Sequence, residues 1–554
     1  KHCEGLAFQA AAHAGFVASF APQRNERSSP RDMLSARRLR LLLGSAYAPA
    51  RRTSSLPDAL VPPAAAGAGT TTRRTAGSGG GRDTLGRRLL SLIYPKRSAV
   101  VVLRKWAEED KPIQKYQLNR VVRELRKYKR YKHALEICEW MTTQSHIKLL
   151  PGDYAVHLDL VAKVRGLAST QKFFEDLPVR MKGPSSCTAL LHTFVQWKLT
   201  DKAESLMEEM SAQGWLRCSL PYNHMLTLYI SNGELSKIPD LLRDLKRNTS
   251  PDEITYNLWL SVFAKKNDVI GAEKVLHQME KDNVTADWVT YSILANMYIK
   301  AAYHDKAKEA LVEMEKRVFK KDRIAYCSLI SLHAGLLDED NVYRMWNKMK
   351  ATFRKMSDME FKCMLSSLTK IGDIEEAESI YKEWELVSGT QDLRVSNILL
   401  AFYVKNDMME KAEKFLMHIV ETGVKPNYTT WELLASGNLR KNRMDKVLDC
   451  LKKALSRLEK WDPNVGLVKA VFTELEAMGN VEDAENFLVI LRDAGYLTTE
   501  IYNSLLRTYV KAGKMPLIVA ERMKKDNVEM DNETRHLLRV TSKFCISEVS
   551  PFIS

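Results

Sequence analysis

The sequence predicts an all-α fold: a right-handed superhelical solenoid of about twelve helix–turn–helix repeats. Three observations carry that prediction. The phrase Asp-Glu-Ile-Thr-Tyr-Asn, Asp252 to Asn257, returns 35 residues later as Asp-Trp-Val-Thr-Tyr-Ser, Asp287 to Ser292. Apolar residues recur with a helical period in paired stretches of about a dozen residues, each pair divided by a small break. Alanine returns at one place in the second stretch (Ala134, Ala203, Ala272, Ala307, Ala377, Ala412 and Ala484), and methionine fills a later place (Met141, Met210, Met279, Met314 and Met349). A small side chain at that place lets paired helices approach closely.

A hydrophobic content of 45% over 554 residues is ample for a core. No apolar run reaches the roughly 18 residues of a membrane span. The eight cysteines are scattered and form no C-x-x-C pair, which argues against a zinc site and against a disulfide framework. The net charge of +16 is unevenly placed. Residues 1–111 hold 19 basic and 8 acidic residues, and residues 115–150 hold 9 and 3. The rest of the chain is near neutral, so the basic pI does not by itself point to RNA.

Along the chain, the first segment to explain is acid-poor. From Met33 to the residue before Asp58 there is no carboxylate, while Arg37, Arg38, Arg40, Arg51 and Arg52 alternate with leucines and are followed by Ser and Thr. That is the composition of an organellar transit peptide, and its arginines favour the mitochondrion over the chloroplast. Residues 1–32 then read as translated upstream sequence, and 33–84 as transit peptide and flexible linker, with Ala, Gly, Thr and Ser dominating 62–81. Residues 85–114 read as a helical cap broken at Pro95, with Leu103 and Trp106 placed to close the array.

The array itself occupies 115–531, in units of about 33 to 36 residues, and 532–554 reads as a C-terminal tail. Breaks between the helices carry Gly233, Asn267, Gly372, Gly479 or Gly513, where a helix must end. One unit cannot bury its apolar face alone, so neighbours must stack. Tyr256 and Tyr291 are expected to be packing residues that open the first helix of a unit.

The phrases ITYNLW (254–259), VTYSIL (289–294), LPYNHM (220–225), GELSKIPDLL, GDIEEAESIY, NDMMEKAEKF and TGVKPN (422–427) stand in register over about 417 residues. On these residues the array resembles the pentatricopeptide repeat family in its plant P-type form. Tetratricopeptide repeats have a similar period but open on Trp-x-x-Leu-Gly-x-x-Tyr, which is absent here.

The resemblance implies a groove lined by first helices in which each unit meets one base of single-stranded RNA. Two residues per unit read it, the fifth and the last. The amide and hydroxyl side chains carry donors and acceptors for a base edge, and carboxylates accept. By resemblance, Asn223 with Asp252 and Asn257 with Asp287 imply uracil, Ser292 with Asp322 guanine, Asn397 with Asn427 a pyrimidine, and Asn503 with Asp531 uracil. Thr188 with Cys218 is half a match. The pairs Asn119 and Leu150, Ala155 and Gly183, Cys327 and Ser357, Lys362 and Asp392, Glu432 and Asp462, and Lys469 and Thr498 depart from the pattern. A carboxylate at Glu432 would repel phosphate.

The thirteenth residue of a unit, near the end of each first helix, is often basic: Lys127, Lys163, Lys265, Lys300, Lys370, Lys405, Arg440 and Lys511. Such a series is expected to contact phosphates, and a cation there also suits the helix macrodipole.

Chemistry finds little foothold. There is no H-x-E followed by P-C-x-x-C, as a zinc deaminase needs, and no G-x-x-x-x-G-K-[ST] loop. No strand-rich segment offers a carboxylate cluster for a metal nuclease, and the twelve histidines are dispersed. The expectation is a protein with no catalytic residues, metal or cofactor: an organellar single-stranded RNA-binding adaptor in RNA stabilisation, processing, splicing or translation. The alternative is a structural component of the mitochondrial ribosome, or a partner of other RNA-processing proteins, using the solenoid as a scaffold for protein or rRNA. Its motive is the half of the units without a matched pair.

Overall fold

The computed structural model describes residues 84–92, 98–319, 321–387, 390–455 and 464–543. Met33, the arginine-rich segment and the 62–81 linker lie outside the described residues. Every regular element among the described residues is a helix. None of them is long and apolar enough to cross a membrane. The chain divides into two compact units, Lys1–Met297 and Tyr298–Ser554.

In the first unit, the helices Leu85–Leu90 and Ala99–Glu108 precede the first repeat, Lys115–Lys127 with Tyr131–Thr143. Leu89, Leu103 and Trp106 are buried in one cluster with Leu118, Val122 and Leu125. Pairs of helices then follow one another, from Pro151–Arg165 with Leu167–Glu175 to Glu253–Lys266 with Val269–Lys281. The second unit repeats the pattern from Arg323–Gly335 with Glu339–Thr352 to Thr499–Ala512 with Val519–Lys525. First helices pack on first helices of neighbouring repeats from Pro151–Arg165 to Glu253–Lys266, from Arg323–Gly335 to Tyr428–Arg440, and between Val465–Met478 and Thr499–Ala512.

The packing follows from the repeated residues. Ala134, Ala203, Ala272, Ala307, Ala377, Ala412 and Ala484 are all fully buried, as close helix approach requires. Met141, Met210, Met279, Met314 and Met349 are buried beside them. Tyr222, Tyr256 and Tyr502 are among the largest fully buried side chains, each contributing about 2 kcal/mol or more through apolar burial. Their hydroxyls add a second function. Tyr256 donates to the Asp282 carboxylate, Tyr502 to Asp526, and Tyr222 accepts from Asn248 Nδ2 at 2.7 Å, so each tyrosine ties the first helix of its repeat to the end of the second.

A carboxylate ties successive repeats. Glu204 Oε1 accepts from the Tyr229 hydroxyl at 2.8 Å and from Lys237 Nζ at 2.7 Å, both in the next repeat. Glu378 holds Tyr403 at 2.8 Å and Lys411 at 3.2 Å in the same way, and Glu485 holds Tyr509 at 2.8 Å and Arg522 at 2.6 Å. Burial and the adjoining carboxylate push the Tyr509 hydroxyl up to about 12.

Helix ends fall where the breaks are. Gly372 closes Asp358–Ile371 with φ of 101°, a left-handed conformation that suits glycine, and Asn267 closes Glu253–Lys266 with φ of 53°. Two repeats have a shortened second helix. Leu167–Glu175 stops before Pro178, and Val519–Lys525 follows a segment containing Pro516. Beyond residue 531 the chain is helical again over Asn532–Ser542, which packs on Thr499–Ala512 and buries Thr534, Leu537 and Thr541.

Candidate nucleic-acid interface

The fifth residues of the repeats sit one turn into the first helices. The last residue of a repeat is the N-cap of the next first helix at Asp252, Asp322, Asn427 and Asp531, whereas after Glu432 that place is taken by Asn464. Two stacked first helices therefore bring them side by side. Asn223 Nδ2 donates to Asp252 Oδ1 at 3.0 Å, and Asn257 Nδ2 to Asp287 Oδ1 at 3.2 Å. Asn397 Nδ2 donates to Asn427 Oδ1 at 3.3 Å, and Asn503 Nδ2 to Asp531 Oδ2 at 3.1 Å. All four asparagines are at most 8% exposed.

Each of these pairs has a third member that was not singled out from the sequence as part of the site. Thr255, Thr290, Thr430 and Thr534 donate their hydroxyls to the Oδ1 of Asn223, Asn257, Asn397 and Asn503 at 2.7 to 2.9 Å. The same threonines donate their backbone N–H to the N-cap oxygen, at 2.7 to 3.0 Å. In three of the four, the N-cap backbone N–H returns a hydrogen bond to the threonine hydroxyl, a capping box. The asparagine amide is thus held at both ends, with its oxygen toward threonine and its nitrogen toward the N-cap side chain. Each amide is thereby fixed in orientation beside an N-cap oxygen, that of a carboxylate at Asp252, Asp287 and Asp531 and of an amide at Asn427. Hydrogen bonds from Thr534 hold the Asp531 carboxyl below its ordinary value. At Thr255 and Thr290 the sequence signal is the Thr-Tyr phrase itself, which reads as a helix opening until the hydroxyl is seen to cross the junction; Thr430 and Thr534 stand before Trp431 and Arg535.

Ser292 and Asp322 are set differently. Ser292 is half-buried, and Asp322 caps Arg323–Gly335 through Ile324 N at 3.1 Å and Ala325 N at 3.2 Å. The third residue of that helix is Ala325, so the threonine hydroxyl has no counterpart there.

The departing repeats use other pairings. Asn119 Nδ2 donates to Asp153 Oδ1 at 3.0 Å, three residues beyond Leu150. Glu432 Oε1 accepts from Asn464 Nδ2 at 2.5 Å, while Asp462 lies outside the described residues. Lys362 Nζ is 3.8 Å from Asp392, and burial lowers its pKa. Cys327 is buried, and its carbonyl accepts from Cys363 Sγ at 3.2 Å. Thr188 returns its hydroxyl to Pro184 O at 2.7 Å.

The basic series is not uniform. Lys300, Lys370, Lys405 and Lys511 are exposed and make no ion pair among the described residues. Burial lowers the pKa of Lys370. Lys127 stands 4.0 Å from Glu124. Lys163 is bound to Asp159 at 2.8 Å, beside Arg126 on the same carboxylate, and Lys265 is exposed. Arg440 differs from all of these: its guanidinium donates to Val404 O at 2.5 Å and Lys405 O at 3.4 Å, satisfying carbonyls at the end of the preceding first helix.

A PPR repeat family model matches residues 251–300, and a PPR repeat model matches 185–215, 289–319, 361–386 and 395–424. A mitochondrial pentatricopeptide repeat-containing protein of Arabidopsis thaliana is 56% identical over 474 residues, covering 86% of this chain and 89% of its own. A second mitochondrial one from the same plant is 31% identical over 83% of this chain and 95% of its own. Among solved structures, the pentatricopeptide repeat protein PPR10 from maize is similar at 18% identity, over 83% of this chain and 75% of its own, with a TM-score of 0.36. Its complex with an 18-nt psaJ RNA element gives 16% identity, 84% and 75% coverage, and a TM-score of 0.40.

Proposed function

Because the chain belongs to the plant pentatricopeptide repeat family, we propose that it is an organellar adaptor that holds single-stranded RNA and has no catalysis of its own. It would act in RNA stabilisation, processing, splicing or translation by occupying a segment of a transcript. The mitochondrion is the compartment we favour, since the two relatives above carry that word in their names and the arginine-rich, acid-poor segment after Met33 suits it.

The observation that carries this reading is the recurrence of one polar arrangement in four repeats. A buried asparagine has its amide oriented by threonine and by an N-cap side chain from the next helix. Buried polar groups at the same place in four repeats, two of them adjacent, have no packing purpose that an apolar residue would not serve better. A fixed donor beside a fixed acceptor matches the edge of a pyrimidine. Adjacent repeats place Asn223 with Asp252 and Asn257 with Asp287, so two successive uracils are the motif to seek. The residues of the reading pairs, Ser292 with Asp322 included, and the exposed lysines Lys300, Lys370, Lys405 and Lys511 are the proposed contacts, the lysines to phosphate.

Gel-shift of the purified protein on single-stranded RNA tests the proposal. A strand containing U-U-G should bind more tightly than its scrambled counterpart, and Asn257→Ser should shift the preference at one base. Equal binding of both strands at moderate salt would rule out sequence reading.

A further inference from the structure

The first repeat fails the residue pattern, because Asn119 is matched with Leu150. Its geometry nevertheless contains the same kind of bond. Asn119 Nδ2 donates to Asp153 Oδ1 at 3.0 Å, the length found at Asn223 and Asp252. The carboxylate comes from the third residue of the next first helix, the place that Thr255 or Thr290 fills elsewhere. Asp153 is itself fixed: its Oδ2 accepts from Leu150 N at 2.8 Å and pairs with Lys115 Nζ at 2.5 Å.

This exchange inverts the amide. In the four threonine-braced repeats the asparagine oxygen faces the third residue and the nitrogen faces the N-cap. A carboxylate at the third place accepts only, so it turns the Asn119 nitrogen toward itself. The Asn119 oxygen is left with no hydrogen-bond partner among the described residues, and the residue is half-buried rather than buried. The repeat therefore offers an acceptor where the others offer a donor.

The same helix carries a second, independent feature. Leu118, Val121, Val122 and Leu125 face the core. At about 100° per residue, Tyr116, Arg120, Arg123 and Lys127 fall within an arc of about 60° on the opposite side, and Asn119 flanks it. All four are exposed, Tyr116 at 69%. Arg120, Arg123 and Tyr116 have no polar partner among the described residues, and Lys127 has the 4.0 Å approach of Glu124 and stands 5.9 Å from the Tyr128 ring centre. An exposed aromatic ring on one helix face with exposed cations is the combination that takes a stacked base and its phosphates.

We propose that the first repeat is a nucleotide-binding station of inverted polarity. Through Asn119 Oδ1 it accepts from an exocyclic amino group, which adenine, cytosine and guanine carry and uracil lacks. Tyr116 stacks on the base, and Arg120, Arg123 and Lys127 take adjoining phosphates. The station rests on the RNA-binding reading above, and its test separates the two.

The first repeat lies three repeats before the one carrying Asn223. At one base per repeat, its base lies three nucleotides outside the U-U step. Fluorescence anisotropy on the full chain would compare A, C and U at that position, varied on each side of the U-U step in turn. On one side, A or C should bind about fivefold more tightly than U, the size of one hydrogen bond. Asn119→Ala should erase that difference and leave the U-U preference intact. The triple change Arg120→Gln, Arg123→Gln and Lys127→Gln alters only exposed residues. It should reduce the slope of log affinity against log salt by about 2, at roughly 0.7 per phosphate. A base preference that is absent, or that survives Asn119→Ala, overturns the station while the U-U preference upholds the adaptor. An unchanged salt slope in the triple variant overturns the phosphate contacts. Absence of any RNA binding overturns both readings together.

Discussion

The hydroxyl of Thr290 donates to the amide oxygen of Asn257 across 2.7 Å, from one repeat to the next. Thr290 is fully buried, so removing its hydroxyl leaves the Asn257 oxygen without a donor and without water. Thr290→Val should destabilise the protein by about 1–3 kcal/mol. It should also weaken the preference for uracil at that repeat, because the amide is then held at one end only. Urea denaturation and gel-shift on paired RNAs measure the two effects, and Thr290→Ser should restore both. Full stability in Thr290→Val would show that the bond does not brace the site.

Lys405 and Arg440 occupy the same place in adjacent repeats but face different partners. Lys405→Gln should lower the slope of log affinity against log salt by about 0.7, as the loss of one phosphate contact requires. Arg440→Gln should leave that slope unchanged and lower thermal stability, since its guanidinium serves the carbonyls of Val404 and Lys405. A salt slope that responds equally to both changes would return Arg440 to the phosphate series.

Glu315 sits under Arg344, with two contacts at 2.8 and 2.9 Å, and under Lys348 at 2.9 Å. The Arg344 guanidinium first, and Lys348 after it, hold the carboxyl down at about 2. A depressed folded-state value means that the stabilisation is present above the unfolded value, near 4.5, and is lost as pH falls toward 2. Arg344→Gln should raise the Glu315 carboxyl toward its ordinary range and flatten the acid limb of a stability profile. NMR titration of the carboxyl reads the change directly.

Gly437 lies inside the helix Tyr428–Arg440, where alanine would normally favour the helix by about 1 kcal/mol. Here an added methyl would stand 2.4 Å from Met409 Sδ and 3.1 Å from Val404 Cγ1. Gly437→Ala should therefore be destabilising by about 1–3 kcal/mol, through overpacking. Calorimetry would show a lower transition temperature. A higher one would mean that Met409 swings clear.

Much of the fold was readable because each repeat restates the same few constraints. The alanine that admits a neighbour, the buried tyrosine and the break at Gly233 or Asn267 each recur, so an error in one repeat is corrected by the next. The site was less readable because its bonds cross repeat junctions. Thr255 and Thr290 stood in plain view in the repeated phrase, yet their hydroxyls serve the asparagine of the previous repeat. Asn119 was matched by position to Leu150, while its carboxylate arrives three residues later, at Asp153. Lys405 and Arg440 are alike in charge, and only the structure separates a free ammonium from a guanidinium anchored to two carbonyls.

The threonine that crosses each junction limits how freely repeats can be shuffled. A cassette cut from residue 253 to residue 287 would carry Asn257 and Asp287 together, but would leave their brace, Thr290, behind. Placed before a repeat like the one opening at Arg323, with Ala325 in the third place, the transplanted pair would keep its residues and be loosely held. Duplication or deletion during descent would then loosen the seam without altering either residue. A designer recombining these repeats should move the seam past the third residue of the following helix.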